Sequence, residues 1–444
     1  MLWSTCAPAQ VLQGLFFEVL TDQSAASKAE PTPSASDHIA RWRPVDVDAD
    51  AIPDPYLIES DVLRLNFFDD AAIDVLLEDS RARGADDYTW LGSVLGEDES
   101  GGVIIVVKDD VTMISVNSVE YGNYSLRVMP DGQQFVMEID PALLPGCGTT
   151  DYHAVEMHTA QKAATPQSDT SHVYDVLVAY TPAARAAIGG TSAMEAAIEL
   201  TIAETNDAYT FSGVNVQARL VHTVEVSYTE QETSEIDLGN LTTTDDEYMD
   251  NIHALRNTHG ADFVALVTNQ NDVCGIGWVP TEMESLSAND VLAFSITVQD
   301  CLGAGEYTFA HEIGHNMGCK HAVGDGDPAL TRGDSILHTY SYGWRWTGNS
   351  NTQPGWRSIM AYSPGTRTAR FSNPNVLFDG VATGVAIGEA DEAANAQSIN
   401  TVVDTVTNYR QTATPLVVTP ESGLSSAGVA GGSFSPASKT YTLR

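Results

Sequence analysis

The stretch "HEIGHNMGCKH", residues 311–321, gathers three of the chain's eleven histidines into eleven residues, at spacings of four and six. Residues four apart share one face of a helix, so His311 and His315 can offer two nitrogens to one ion. Glu312, one step round, then reaches whatever that ion binds. Gly318 can adopt a backbone conformation closed to other residues, which ends the helix and swings His321 back as a third ligand. Three neutral imidazoles with the fourth position open are the pattern of a catalytic zinc, because a structural zinc has all four positions filled by protein. The ion lowers the pKa of its water to about 7 and polarises a carbonyl, while Glu312 takes the proton and passes it to a leaving amine. The chemistry implied is amide hydrolysis with one catalytic Zn2+; calcium binding is left open.

At 444 residues and 43% hydrophobic content, the chain can bury a sizeable core in more than one domain. Its 60 acidic against 21 basic residues give a formal charge of −39, which repels phosphate backbones and anionic lipid and argues against nucleic acid or a membrane surface as partner. No apolar run approaches the roughly 18 residues of a membrane span. The opening "MLWSTCAPAQVLQGLFFEVLTDQ" has no positive start and is interrupted by Gln10, Gln13 and Glu18, so it reads poorly as a signal peptide. Five cysteines are too few for a disulfide scaffold and match no four-cysteine zinc spacing.

Residues 1–40 end in the Pro/Ser/Ala-rich "SAASKAEPTPSASD" and read as a leader or linker. Apolar runs with turn signals between them make 41–148 a β-rich segment, and the polar 149–171 an exposed connector open to proteolysis. From 172, strand and helix patterns alternate. "VYDVLVAY" reads as a buried strand, Met194, Ile198, Ile202 and Ala208 mark a helix stopped by Gly213, and Val216 to Tyr228 alternates as a strand. A second helix is expected over roughly 245–259, then strands at "DFVALVT" and "VLAFSITV", and a last helix through Ile399, Val402, Val403 and Val406. This alternation implies a layered α/β (α+β) domain with a largely parallel sheet over 172–412. Residues 413–444 read as a linker and the start of a truncated β domain.

The extended histidine pattern, with "SIMAY" placing Met360 39 residues after His321, is the metzincin signature. Residues 172–412 resemble a metzincin metalloendopeptidase. They are most similar to the bacterial reprolysin-like and peptidyl-Asp metalloendopeptidase group, through "YTFAHEIGHNMG", "SIMAY", "RFSNPNV" and "NAQSINTVVDTVTNYR" in that order. The chain departs from reprolysins at Ala322, where they usually carry Asp directly after the third histidine. The resemblance implies a twisted mixed sheet, a cleft floored by the zinc helix and Met360 as an apolar base beneath the metal. The chain as a whole reads as a secreted, monomeric precursor with a β-rich propeptide over 41–148 and protein or peptide substrates.

It also implies roles for particular residues. Tyr362 matches the tyrosine that some metzincins place beside the zinc, as an oxyanion donor; the other reading is a core tyrosine. "CGIGWVP" resembles the cleft-edge strand, where Gly275 and Gly277 permit close backbone approach by substrate. Cys274 and Cys301 bracket this region, either as a disulfide or as two buried thiols. Cys147, in "LLPGCGTTD", resembles a cysteine switch that sets a thiolate on the zinc; the other reading is an ordinary cysteine. Between Asp334 and Asp379 there is no acid, yet Arg345, Arg357, Arg367 and Arg370 fall there. Arg367 and Arg370 are candidates for a pocket that selects a carboxylate after the cut bond, and Arg345 and Arg357 read as braces. The expectation is a secreted zinc endopeptidase cutting before Asp or Glu. The rivals are a zinc-stabilised adhesion protein without catalysis and a metal amidase acting on non-protein substrates.

Overall fold

The computed structural model describes residues 14–18, 38–56, 61–97, 102–140, 143, 146–149 and 172–412, the last apart from 289, 304, 306, 327–328, 334–335 and 350–354, together with the strand pair Val418–Thr419 and Thr442–Leu443. The rest of the stretches read as leader, activation connector and truncated β domain lies outside the described residues.

The first unit is one antiparallel sheet of nine strands: β1 (Phe16–Glu18), β2 (Ile39–Val47), β3 (Asp61–Phe68), β4 (Ala71–Gly84), β5 (Asp87–Val94), β6 (Gly102–Lys108), β7 (Val111–Ser118), β8 (Gly122–Val128) and β9 (Gln134–Ile139). From β9 down to β3 each strand pairs with its sequence neighbour; β2 adds to β9 and β1 to β2. Gly14 then bridges Arg64 of β3, which brings the two edges of the sheet together. Residues 14–18, inside the stretch read as a leader, therefore form part of this sheet. The continuous apolar run of β6 has a simple cause. Val103, Ile105 and Val107 join the core inside this sheet, while Ile104 and Val106 point the other way into the core of the following unit.

The second unit is built on β10 (Val173–Tyr180), α1 (Pro182–Ala187), α2 (Thr191–Ser212), β11 (Gln217–Glu225), α3 (Ser234–Thr242), α4 (Asn251–His259), β12 (Phe263–Thr268), β13 (Gly275–Gly277), α5 (Met283–Ala288) and β14 (Phe294–Val298). Its five strands run β11-β10-β12-β14-β13, parallel except for the antiparallel β13 at one edge. The fold is the mixed α+β arrangement expected from the sequence. β10 and β12 are buried along nearly their whole length, as parallel strands covered on both faces must be. α2 ends at Gly213 in the left-handed conformation, and it packs against β6 and β7 of the first unit.

The helix expected over 245–259 begins six residues later. Asp250 accepts hydrogen bonds from the backbone N–H groups of Asp245, Asp246 and Glu247, and Asp245, Glu247 and Met249 have positive φ, so this stretch coils into turns. α3, which the sequence pattern did not reveal, precedes it.

The remainder carries the site: α6 (Thr308–Asn316), β15 (Lys320–Ala322), β16 (Tyr342–Gly343), β17 (Arg345–Trp346), β18 (Trp356–Arg357), β19 (Thr366–Arg367) and α7 (Asn395–Val406). No described helix is long and apolar enough to cross a membrane.

Candidate metal centre

α6 is helical because Phe309, Ile313 and Met317 recur at intervals of four and drop into the core, which turns His311 and His315 onto the adjoining face. After Asn316 the chain turns at Gly318, whose φ is +82°. Its N–H bonds to the His315 carbonyl and the Cys319 N–H to the Gly314 carbonyl, the capping that a left-handed glycine permits. A Cβ at Gly318 would lie 2.3 Å from Leu337, so space as well as φ demands glycine. The turn delivers His321 on β15.

The three Nε2 atoms converge at 3.0–3.1 Å from one another. The Nδ1 atoms of His311 and His315 donate to the carbonyls of Ile359 and Cys319, each at 2.8 Å, which leaves the Nε2 lone pairs facing inward. Burial, with the charge of Lys320, pushes the His315 imidazole down to about 3, and burial aided by the neighbouring rings pushes those of His311 and His321 well below the ordinary value. Three neutral rings with lone pairs aimed at one point repel unless a cation lies there. Their spacing is close to the roughly 3.3 Å set by a tetrahedral ion with Zn–N of about 2.0–2.1 Å. The residues present fit zinc.

Cys147 enters from the far side. Its Sγ is 3.6 Å from His315 Nε2 and, with the three histidine nitrogens, forms a group of four donor atoms all within 4.8 Å of one another. It reaches there because residues 146–149 run alongside β13 as an extra parallel strand. Cys274 N–H donates to the Gly146 carbonyl (3.1 Å), Gly148 N–H to the Gly275 carbonyl (2.8 Å), and the Thr149 hydroxyl donates to the Gly277 carbonyl and accepts from its N–H. Thr149, the first residue of the stretch read as an exposed connector, is buried in this cleft.

Glu312 is fully buried on α6, with Oε2 at 3.4 Å from Cys147 Sγ and 3.5 Å from Thr149 Oγ1. Among the described residues, its Oε1 has no hydrogen-bond partner. Burial pushes the carboxyl up to about 8, against the Cys147 hydrogen bond and the charge of Arg367. The glycines of β13 make room for it: a Cβ on Gly275 would lie 2.6 Å from Oε1, and one on Gly277 2.9 Å from the Glu312 carbonyl. The close approach they permit is thus that of the histidine helix beneath the strand. Met360 is buried under the centre, and a Cβ on Gly314 of α6 would lie 3.0 Å from its sulfur.

Tyr362 packs against His321 with its ring tilted by 41° and the centroids 4.3 Å apart, and its hydroxyl donates to the Cys147 carbonyl at 2.9 Å. Burial, with Cys147 and Glu312 nearby, pushes the phenol well up, so it stays a donor. The four arginines separate by position. Arg357 braces the turn around Met360 through the carbonyls of Ala361 and Gly365, and Arg345 pairs with Asp325. Arg370 lies between Phe211 and Phe378, its guanidinium carbon 5.2 and 4.4 Å from their rings. Arg367 is buried, and its charge acts on His311, Glu312, His321 and Tyr362. A disulfide joins Cys274 to Cys301 and ties the cleft edge to the segment before α6.

Sequence reasoning missed Thr149 and Asp325, which carry no motif; only their neighbours in space identify them.

Comparison with known proteins agrees with this geometry. The M12B reprolysin-like metallo-peptidase family matches residues 170–390. A peptidyl-Asp metalloendopeptidase of Stenotrophomonas maltophilia strain R551-3 is 32% identical over 300 residues, 66% of this chain and 67% of that protein. One from Stenotrophomonas maltophilia strain K279a is 29% identical over 74% of this chain and 75% of its own length. A third, from Xanthomonas campestris pv. campestris, is 29% identical over 82% and 87% respectively.

Proposed function

Since the chain belongs to the reprolysin-like M12B metallopeptidases and is a zinc metalloendopeptidase, we propose that it is a secreted, latent precursor whose catalytic centre is closed by its own residues 146–149. The observation that carries this is the convergence of Cys147 Sγ with His311, His315 and His321 within 4.8 Å. Three histidines would leave a zinc one position open, and the Cys147 sulfur is placed where it would fill that position.

His311, His315 and His321 would hold the ion, which when bound would acidify a water and polarise a scissile carbonyl. Glu312 would act as the general base and pass a proton to the leaving amine, with Oε1 the oxygen that has no hydrogen-bond partner among the described residues. Once residues 146–149 leave, the Tyr362 hydroxyl loses its partner on Cys147 and is available to donate to the developing oxyanion. β13 then offers its backbone N–H and C=O groups to an extended peptide in their place.

Arg367, in reach of the centre and of Tyr362, selects a substrate carboxylate by bidentate hydrogen bonding, in keeping with relatives named for peptidyl-Asp cleavage. Arg370, occupied between two rings, has no part in this pocket. The Cys274–Cys301 disulfide supports an oxidising, extracytoplasmic location. The test is casein hydrolysis and zinc content of Glu312→Gln. Turnover should fall by about 10²- to 10⁴-fold with one zinc retained; near-normal hydrolysis would remove Glu312 from the mechanism.

A further inference from the structure

Tyr362 sits 41 residues beyond His321 in the chain, yet its ring lies against that histidine, tilted by 41°, with the centroids 4.3 Å apart. What fixes this placement is a grip on the tyrosine backbone from both sides. The Tyr362 N–H donates to Asp325 Oδ2 at 2.9 Å, and the Tyr362 carbonyl accepts from Arg345 Nε at 2.8 Å. Arg345 closes the loop by pairing its Nη2 with the other oxygen of Asp325. Asp325 Oδ2 also accepts from the N–H of Ala322 at 3.2 Å, one residue after His321. Only 6% of Asp325 is exposed, so this carboxylate is committed to the cluster.

From this geometry we infer that Asp325 and Arg345 are positioning residues for catalysis: they lock Tyr362 and His321 into one rigid unit so that the phenol stands at a fixed place beside the metal. One carboxylate satisfies the strand that carries the third ligand and the turn that carries the tyrosine. Preorganised donors are effective because they need no reorganisation when charge develops, and a tyrosine on an unanchored turn would lose that advantage. Neither residue touches the reacting atoms; both act through Tyr362.

The proposal rests on the reading of Tyr362 as the oxyanion donor, and a double-mutant cycle separates the two. Four proteins are compared as zinc-loaded, proteolytically activated full-length chain: the parent, Tyr362→Phe, Asp325→Asn and the double variant. Each is measured for kcat, KM, zinc content and Tm. Asn keeps the shape of Asp325 but turns an amide against the Arg345 guanidinium, which releases the clamp. Tyr362→Phe should lower kcat by about a hundredfold, and Asp325→Asn by at least about tenfold, with KM and zinc content little changed. The double variant should then be no more than about threefold slower than Tyr362→Phe, because a positioning residue has nothing left to position. Arg345→Gln, at a half-buried site that folding tolerates more readily, should show the same non-additivity.

Multiplying effects in the double variants, loss of zinc from Asp325→Asn, or unchanged kcat in both Asp325→Asn and Arg345→Gln would overturn the clamp while leaving the Tyr362 reading intact. An unchanged kcat in Tyr362→Phe would overturn the donor reading itself, and the clamp with it.

Discussion

If Cys147 closes the centre as proposed, replacing it by Ala in the full-length, zinc-loaded chain removes the one ligand that residues 146–149 would bring while leaving their backbone in place. A four-ligand zinc site is worth about 10–16 kcal/mol in all, so one ligand contributes about 3 kcal/mol, or roughly a hundredfold in occupancy of the closed state. Among the described residues, five hydrogen bonds of 3.1 Å or shorter remain: Cys274 to Gly146, Gly148 to Gly275, the reciprocal pair between Thr149 and Gly277, and Tyr362 to the carbonyl of residue 147. At about 1 kcal/mol net each they still hold the segment over the cleft. Cys147→Ala should therefore raise the activity of the uncut chain by about a hundredfold and yet leave it below that of the processed enzyme. Adding Thr149→Ala removes two more bonds, about 2 kcal/mol, and should yield a further increase of about thirtyfold. The assay is the initial rate on a quenched peptide, with a gel at each time point to exclude chain cleavage. An uncut parent as active as the processed enzyme, or a latency indifferent to Cys147, would refute this account.

In a peptide library varied after the cut bond, Arg367→Ala should erase a preference for Asp or Glu while keeping zinc; Arg370→Ala should leave the preference and cost about 1–3 kcal/mol of stability from lost packing against Phe211 and Phe378. Glu204 of α2 is buried against the first unit, where Ser115 Oγ and Gly305 N–H donate to it. Burial pushes its carboxyl up to about 7, against those two bonds and the charge of Arg127, with Asp207 adding to the rise. Its pKa is raised in the docked state, so its contribution to docking is fully present below the ordinary carboxylate value and is lost as pH rises through about 7. The urea midpoint of the uncut chain should accordingly fall between pH 4.5 and 7.5 by an amount that Glu204→Gln abolishes. Reducing the Cys274–Cys301 disulfide, which spans 27 residues, should cost about 3–4 kcal/mol by calorimetry and loosen the cleft edge.

Local periodicity made α2, α7 and the buried strands β10 and β12 readable, because each hides one repeating set of apolar side chains. It misled at 245–250, where a run of acids and polar residues mimics a helix start but the Asp250 carboxylate takes the backbone N–H groups that a helix would use. It also gave no sign of α3. Residues 14–18 were legible only as part of a leader, since three residues of strand acquire meaning from the edge they close.

The metal centre divides along the same line. His311, Glu312, His315, Gly318 and His321 lie within eleven residues, and helix geometry with one left-handed glycine suffices to bring the three imidazoles together, so the sequence by itself determined the candidate ligand set and the proposed base. Cys147 stands 168 residues from His315, and Asp325 37 residues from Tyr362. Arg367 and Arg370 are indistinguishable as letters, yet the charge of one acts on the histidine cluster while the other lies over two aromatic rings. These outcomes belong to tertiary structure. They depend on which strand lies beside β13 and on the register of β19 against β18, and no short-range rule of backbone geometry sets contacts between segments so far apart in the chain.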